Sequence, residues 1–491
     1  KKGEPQVVFQ AKPFEGPITC IELGGNPQKR DKLFASHSQR IVGLTKKGKD
    51  FFKLTSSLTE TIQQIATEDT RIWTSCEYLH NLYDNGKEMA YYISPGQINT
   101  LLVCHLTREN EYDTILACHD RYIRILHVST PFTEIPTKYP VLSIAHLEID
   151  KHPTANGRHT GHLIYGTSKG SLGYLRVEPN GTYEQVWEID DGDKRSPING
   201  IKLYDINKDK YEEVIIGRDD GRIEVYKLSF ENNLSTPPTK IFTKDLSQSI
   251  RSIECGIVNT QDYPEIIVSV YSGKVISFTT EPIRNRSVED TYGRSIQTVN
   301  NENRIKTLKK EIDELKKKVE KEKEKVKKAG ISAQTIANFI KPPSDFPVNS
   351  SFDLDYNLAA YVLNIELQMS IDLIILRSPV VLDLVETDTG SSVLSVTPPS
   401  MNVTAGNAGG SNEDEGKFVA VFRCQSNEKR ISLTLRSNEG EYGDLMITIV
   451  AASNPKVGKV IRYELKPLSL HAKVHALTNE ENNQPRNKIR Y

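Results

Sequence analysis

Asp205, Asn207 and Asp209 place oxygen side chains at alternate positions, and Glu213 follows four residues later. Ca²⁺ takes six to eight oxygens, and a D-x-N-x-D-x-x-x-E loop can supply several of them. Lys210 stands where such loops usually carry Gly. The same residues also suit a polar turn whose Asp and Asn side chains bond their own backbone. A structural Ca²⁺ is the single cofactor the chain nominates. No G-x-x-x-x-G-K-[ST], post-strand G-x-G-x-x-G or H-E-x-x-H is present, and histidines occur singly. Those absences leave no nucleophile–base–acid set to nominate, so no catalytic residue is expected.

A second pattern does its chemistry by burial. Between Asn301 and Lys328 there is no Gly or Pro, and Lys, Glu and Leu dominate. Ile305, Leu308, Ile312, Leu315, Val319 and Val326 recur three and four apart, with Glu322 in the remaining seam position. That is a four-heptad coiled-coil seam. With Ile305 at position a, Lys309, Lys316 and Lys323 occupy e, while Arg304, Glu311, Lys318 and Lys325 occupy g. A parallel self-pair would set Arg304 against Lys309 and Lys318 against Lys323, with Glu311–Lys316 the lone attraction. Homodimerisation is therefore disfavoured, and a different helix with acidic flanks is the expected mate. The lysines alternate with Glu around an apolar seam, which weakens their reading as a membrane or nucleic-acid patch.

These features need elements to carry them. Six stretches repeat strand, tight polar turn, strand: Leu33–Leu44, Ile72–Tyr83, Thr114–Leu126, His162–Leu175, Glu213–Tyr226 and Glu265–Phe278. The turn glycines 170, 221 and 273 give a period near 50 residues. A hairpin repeating at that spacing marks a β-propeller with one four-stranded blade per repeat. Six visible units and a cut beginning suggest seven blades, the first incomplete, with six or eight as the alternatives. The propeller is expected over 1–282, a linker over 283–300, the coiled coil over 301–329 and a second linker over 330–350.

Short strands return from 351 to 470: Ala359–Met369, Asp372–Leu376, Val380–Val385, Phe418–Phe422, Arg430–Arg436, Asp444–Val450 and Val460–Leu465. They fit a β-sandwich, with 397–416 a loop inside it and 471–491 the start of a further truncated domain. The chain begins Lys-Lys-Gly and ends at Asn487-Lys-Ile-Arg-Tyr491 in mid-pattern, which reads as a fragment cut at both ends. Its formal charge of -1 excludes whole-chain steering to nucleic acid or membrane. No apolar run approaches the length of a membrane span. Six scattered cysteines without a C-x-x-C argue for a reducing compartment.

Propeller, short coiled coil and ear-like sandwich, in this order, resemble the trunk of the Bardet–Biedl syndrome family of BBSome subunits. The stretches that carry the resemblance begin with Lys1-Lys-Gly-Glu4, Ile21-Glu-Leu-Gly-Gly25, Gly43-Leu-Thr-Lys-Lys-Gly-Lys49 and Leu116-Ala-Cys-His-Asp-Arg121. They continue with Val214–Gly221, Val268–Gly273, Thr279-Thr-Glu-Pro282, Tyr356–Asn364, Arg423-Cys424, Glu439-Gly-Glu-Tyr-Gly443 and Lys466–His471. The resemblance implies a mainly β chain whose sandwich is like the γ-adaptin ear. It implies a non-enzymatic scaffold in a coat-like adaptor that sorts membrane-protein cargo into and out of cilia, recruited by an Arf-like GTPase. It further implies pairing through the coiled coil with the Bardet–Biedl syndrome 2 protein, contact with the subunit-9 sibling, and chaperonin-assisted assembly. Location at the cilium, its base and membrane, and the cytoplasm would follow. The alternatives are a scaffold of another vesicle-coat or intraflagellar-transport complex, and a propeller enzyme with its site at the mouth of the central channel.

Overall fold

The computed structural model describes residues 14–281 and 346–469 apart from short segments within them, together with Phe9 and five residues between 313 and 321. The longest segments left out inside those ranges are 149–160 and 398–417, the latter covering most of the loop expected over 397–416. The chain divides into two compact units, Lys1–Thr280 and Glu281–Tyr491.

The first unit is a propeller. Each expected hairpin forms the two middle strands of an antiparallel sheet, with a strand added inside and, in five of six cases, outside. Blade 1 comprises Ile18–Gly24, Lys32–His37, Arg40–Thr45 and Asp50–Thr55. Blade 2 is Gln64–Glu68, Arg71–Ser75, Leu79–Asp84 and Lys87–Ile93. Blade 3 is Ile98–Cys104, Asp113–Cys118, Tyr122–His127 and Thr130–Pro136. Blade 4 is Val141–His146, Gly161–Thr167, Leu172–Val177 and Tyr183–Ile189, and blade 5 is Ile198–Tyr204, Glu213–Arg218, Arg222–Lys227 and Thr239–Asp245. Blade 6 has three strands, Ile250–Gly256, Glu265–Val270 and Val275–Thr279. Six blades are thus described, and the three-stranded one among them is the last. Hairpins mark only the middle of each sheet, so they could not say how many strands flank it.

Apolar residues fill the spaces between blades. One cluster joins Ile115, Ala117 and Ile123 of blade 3 to Leu163, Tyr165 and Leu175 of blade 4. Similar clusters join blades 4 and 5, and blades 5 and 6. The hairpin strands Asp113–Cys118 and Glu213–Arg218 are buried at every position. Their first residues are acids, and each caps the loop before it: Asp113 Oδ2 accepts from Thr107 N at 2.7 Å, and Glu213 Oε2 from Ile206 N at 3.0 Å.

The hairpin turns at Gly170 and Gly221 also pack on the chain leading into the next blade. Gly170 has φ +84, and a Cβ there would lie 2.7 Å from Ser196 O. Gly221 has φ +98, and its Cβ would lie 2.7 Å from the backbone N and O of Gln248. Only glycine meets both demands, positive φ and close backbone approach.

The second unit is a sandwich of two antiparallel sheets. One has the order Val348–Asp355, Ala360–Leu367, Arg430–Ser437, Leu382–Thr387. The other runs Ser392–Thr397, Phe418–Cys424, Ile371–Ser378, Gly443–Ala451, Gly458–Leu465. Period-two burial, as in Gly443–Ala451, aims Leu445, Ile447 and Ile449 at a core shared with Leu363, Ile374, Phe422 and Leu433. Two strands go beyond the expected seven, Val348–Asp355 and Ser392–Thr397, and the first begins inside the stretch read as linker.

Candidate functional site

The starts of the inner strands of blades 2 to 6 come together at one end of the propeller and line a cavity of about 620 Å³. Its wall is mostly amide: Gln63, Gln64, Gln97, Asn99 and Asn199, with one acid, Glu77, and one base, Arg251. Three of the amides are committed to structure. Gln64 Nε2 donates to Asn99 O at 3.2 Å, Asn99 Nδ2 to Val141 O at 2.8 Å, and Asn199 Nδ2 to Ile250 O at 3.0 Å. Hydroxyls do the same elsewhere: Thr19 Oγ1 donates to Ile62 O at 2.6 Å and Ser143 Oγ to Ile198 O at 2.9 Å. Every consecutive pair of blades from 1 to 6 is therefore stapled by a side chain of one inner strand reaching the backbone of the next. The sequence signal was visible but not used: in Ile18-Thr19, Ile98-Asn99 and Ile198-Asn199, a polar residue follows the apolar one that opens the strand.

Deeper in the channel, Glu22 of blade 1 senses Lys202 of blade 5 and Glu254 of blade 6, so these strands surround one axis. Burial pushes the Glu22 carboxyl up, with Lys202 opposing and Glu254 adding to the shift. Lys202 and Glu254 pair at 2.7 Å. Among the described residues the mouth is lined by no His, Cys, Ser, Thr, Tyr or Lys. It offers hydrogen-bond donors and acceptors.

The loop Asp205–Glu213 follows the end of an inner strand, at the opposite end from the mouth. Its four nominated residues do come together, around internal donors. Asp205 accepts from Asp209 N and Lys210 N at 3.0 and 2.8 Å. Asn207 Nδ2 donates to Asp209 Oδ2 at 3.0 Å and to Glu213 Oε1 at 2.6 Å, so an amide sits where these carboxylates converge. Lys227 Nζ adds a bond to Asp209 Oδ2 at 3.0 Å. Burial opposes ionisation of Asp209, but Lys227 and the Tyr211 N–H outweigh it and hold the pKa below the usual range. Lys210 takes φ +73, the conformation for which Gly is usual. The donors already present satisfy the loop as a self-bonded turn. Among the described residues no group of three or more His, Cys, Asp or Glu has a geometry that could hold a metal.

Of the nominated helix, Lys316 is described, and it is helical and exposed, as are Asp313, Glu314, Lys317 and Lys321. Ile305, Leu308, Ile312, Leu315, Val319, Val326, Lys309 and Lys323 lie outside the described residues.

A further set escaped the sequence reading altogether. Arg218, 1% exposed, donates through Nε to Glu224 at 2.7 Å and through Nη1 to Gly170 O and Ser196 O at 2.9 and 3.1 Å. It thus ties blade 5 to the turn of blade 4. Glu224 also accepts from Lys240 at 2.7 Å. Burial pushes the Glu224 carboxyl up, yet Arg218 and Lys240 together hold it below its ordinary value.

Known proteins share this arrangement. Residues 1–280 match the family model of the BBS7 beta-propeller, and residues 344–463 that of the BBS7 GAE domain, so the sandwich is GAE-like. The chain is 32% identical over 483 residues to the Mus musculus protein described as BBSome complex member BBS7, covering 98% of this chain and 64% of that protein. It is 25% identical over 486 residues to the Caenorhabditis elegans BBSome complex member bbs-7, covering 97% of this chain and 62% of that protein. It therefore spans a little under two thirds of the length of both relatives. Among solved structures, the WD40 propeller domain of Doa1 is similar at 14% identity and TM-score 0.41, over 57% of this chain and 83% of that one. On the family model that covers the whole propeller, the chain belongs to the BBS7 β-propeller family.

Proposed function

We propose that the chain is the propeller-and-ear portion of a BBSome subunit and acts as a non-enzymatic scaffold. The complex it serves is a coat-like adaptor that sorts membrane-protein cargo in ciliary trafficking, at the cilium and its base. The observation that carries this reading is the match to a BBSome complex member along 98% of the chain, in a single order of domains. A channel mouth walled mostly by amides, three of them bonded to neighbouring backbone, supports binding over catalysis.

Assembly runs through the heptad helix. Burying Ile305, Leu308, Ile312, Leu315, Val319 and Val326 against a partner helix would contribute about 1–2 kcal/mol each at best. Lys309, Lys316 and Lys323 select a partner with acidic flanks and reject a second copy of this chain. The mate is the Bardet–Biedl syndrome 2 protein. Contact with the subunit-9 sibling, assembly by chaperonin-type factors and recruitment by an Arf-like GTPase complete the reading. The carboxylates of the Asp205 loop need no Ca²⁺ on this account.

Co-expression with the subunit-2 sibling tests it. Capture by the native chain and loss with Leu308→Asp plus Leu315→Asp is the expected result. Undiminished capture by the double variant would remove the helix as the joint. No capture by the native chain would remove the complex itself.

A further inference from the structure

Blade 1 carries a charge anomaly that the assembly reading does not use. Between residues 30 and 53 the cations are Arg30, Lys32, Arg40, Lys46, Lys47, Lys49 and Lys53, and the acids only Asp31 and Asp50, in a chain of net charge -1. Asp50 is engaged by Lys53 at 2.9 Å, and Arg30 reaches Glu68 at 4.0 Å. Lys46, Lys47 and Lys49 are exposed, and among the described residues their ammonium groups have no hydrogen bond or ion pair.

These three lysines sit on one rigid turn. Gly48 N donates to Thr45 O at 2.8 Å, Thr45 N donates to Lys49 O at 2.9 Å, and Gly48 takes φ +74. The turn joins the two outermost strands of blade 1, so it projects from an edge of the propeller. Two exposed aromatics flank it. Phe9, 37% exposed, lies against Gly48, where an added Cβ would come within 2.4 Å of its ring. Phe51 is 45% exposed, and Lys32 Nζ stands 4.9 Å from its ring centroid. The lysines line neither the channel mouth nor the cleft of about 290 Å³ beside blade 1. They lie exposed on the turn between the two outermost strands of the blade.

We propose that the Lys46–Lys49 turn, with Phe9 and Phe51 beside it, docks on an anionic lipid surface. Three exposed ammonium groups on one turn suit a plane of headgroup phosphates and carboxylates, and each basic residue adds attraction there. Exposed aromatic rings beside them suit the boundary between headgroups and acyl chains. The turn belongs to blade 1 alone, so it acts whether or not the heptad helix is the assembly joint.

The test is vesicle co-sedimentation of the whole chain. Vesicles of phosphatidylcholine alone are compared with vesicles containing about a third phosphatidylserine. Binding should appear only with phosphatidylserine, weaken with added salt, and fall at least about ten-fold in Lys46→Glu, Lys47→Glu, Lys49→Glu. All three positions are exposed, and an unchanged melting temperature shows that the variant folds. A second variant, Lys309→Glu, Lys316→Glu, Lys323→Glu, should bind as the native chain does. Loss of binding in that variant alone would move the site to the helix and overturn the proposal. So would equal binding to neutral vesicles, no vesicle binding, or lysine-dependent binding of poly-glutamate without vesicle binding; the last would assign the turn to an acidic protein.

Discussion

Blades 5 and 6 are built on one hairpin pattern and live in different surroundings. Ile223 and Val275 each stand two residues after the turn glycine, yet Ile223 is 0% exposed and Val275 is 70% exposed. Gly221 and Gly273 both take positive φ, but a Cβ at Gly221 would meet the backbone of Gln248, and one at Gly273 would meet nothing within 4 Å. Blade 5 is packed on both faces and laced by Arg218, Glu224 and Lys240. Among the described residues nothing packs on the outer side of blade 6 at Val275, and on the inner strand of blade 1 Ile21 and Leu23 are exposed. The hairpin sequence decides that a blade forms. The neighbouring blade decides how much that blade contributes to stability.

The largest contrast should come from Arg218→Ala, which takes away the cation from buried Glu224 and unties the carbonyls of Gly170 and Ser196. Losing one partner of a buried pair costs about 3–5 kcal/mol, to be read as a fall in the urea midpoint. Next, Ile223→Ala should cost about 2–5 kcal/mol while Val275→Ala stays under about 0.5 kcal/mol. Similar losses at the two positions would break the comparison.

A closed interface also writes itself into pH dependence. His80 of blade 2 pairs across its sheet with Tyr92, which packs on Leu116 and Cys118 of blade 3. Burial drives the His80 pKa down from 6.5 to about 4, with the Thr74 carbonyl pulling slightly the other way. The unfolded chain therefore binds the extra proton first as pH falls. Stability is full above pH 6.5 and declines toward pH 4, by about 3 kcal/mol. His80→Leu should flatten the unfolding profile over that window, and an unchanged slope would assign the dependence elsewhere.

Finer contrasts follow. Gly221→Ala and Gly273→Ala both force an alanine to positive φ, at about 1–2 kcal/mol, but Gly221 adds a backbone clash and should lose clearly more. Asn199→Ala removes the staple from blade 5 to blade 6 and should cost about 1 kcal/mol in thermal unfolding.

Much of this was legible in the residues, because a hairpin is a local event. Asp219-Asp220-Gly221 between two apolar runs dictates a turn and its two strands without reference to the rest of the chain. What could not be read was non-local. Arg218 looks like one more charged residue next to a turn, and only the approach of Gly170 and Ser196 makes it an interlock. The strands Val348–Asp355 and Ser392–Thr397 were missed for a related reason. The first is rich in Ser, Asn and Asp, which lowers its strand signal, and it is fixed by pairing with Ala360–Leu367 rather than by its own composition. The Asp205 loop carries two readings at once: its alternate oxygens suit a cation, and Asn207 Nδ2 together with backbone N–H groups donates to the same oxygens.

Hydrogen exchange on the isolated chain tests the difference between closed and open blades most directly. Amides of Ile223–Val225 should exchange only through global unfolding, whereas those of Ile276–Phe278 should exchange orders of magnitude faster. Equal protection in the two strands would contradict the account, because it would mean that blade 6 is held as firmly as a blade enclosed on both sides.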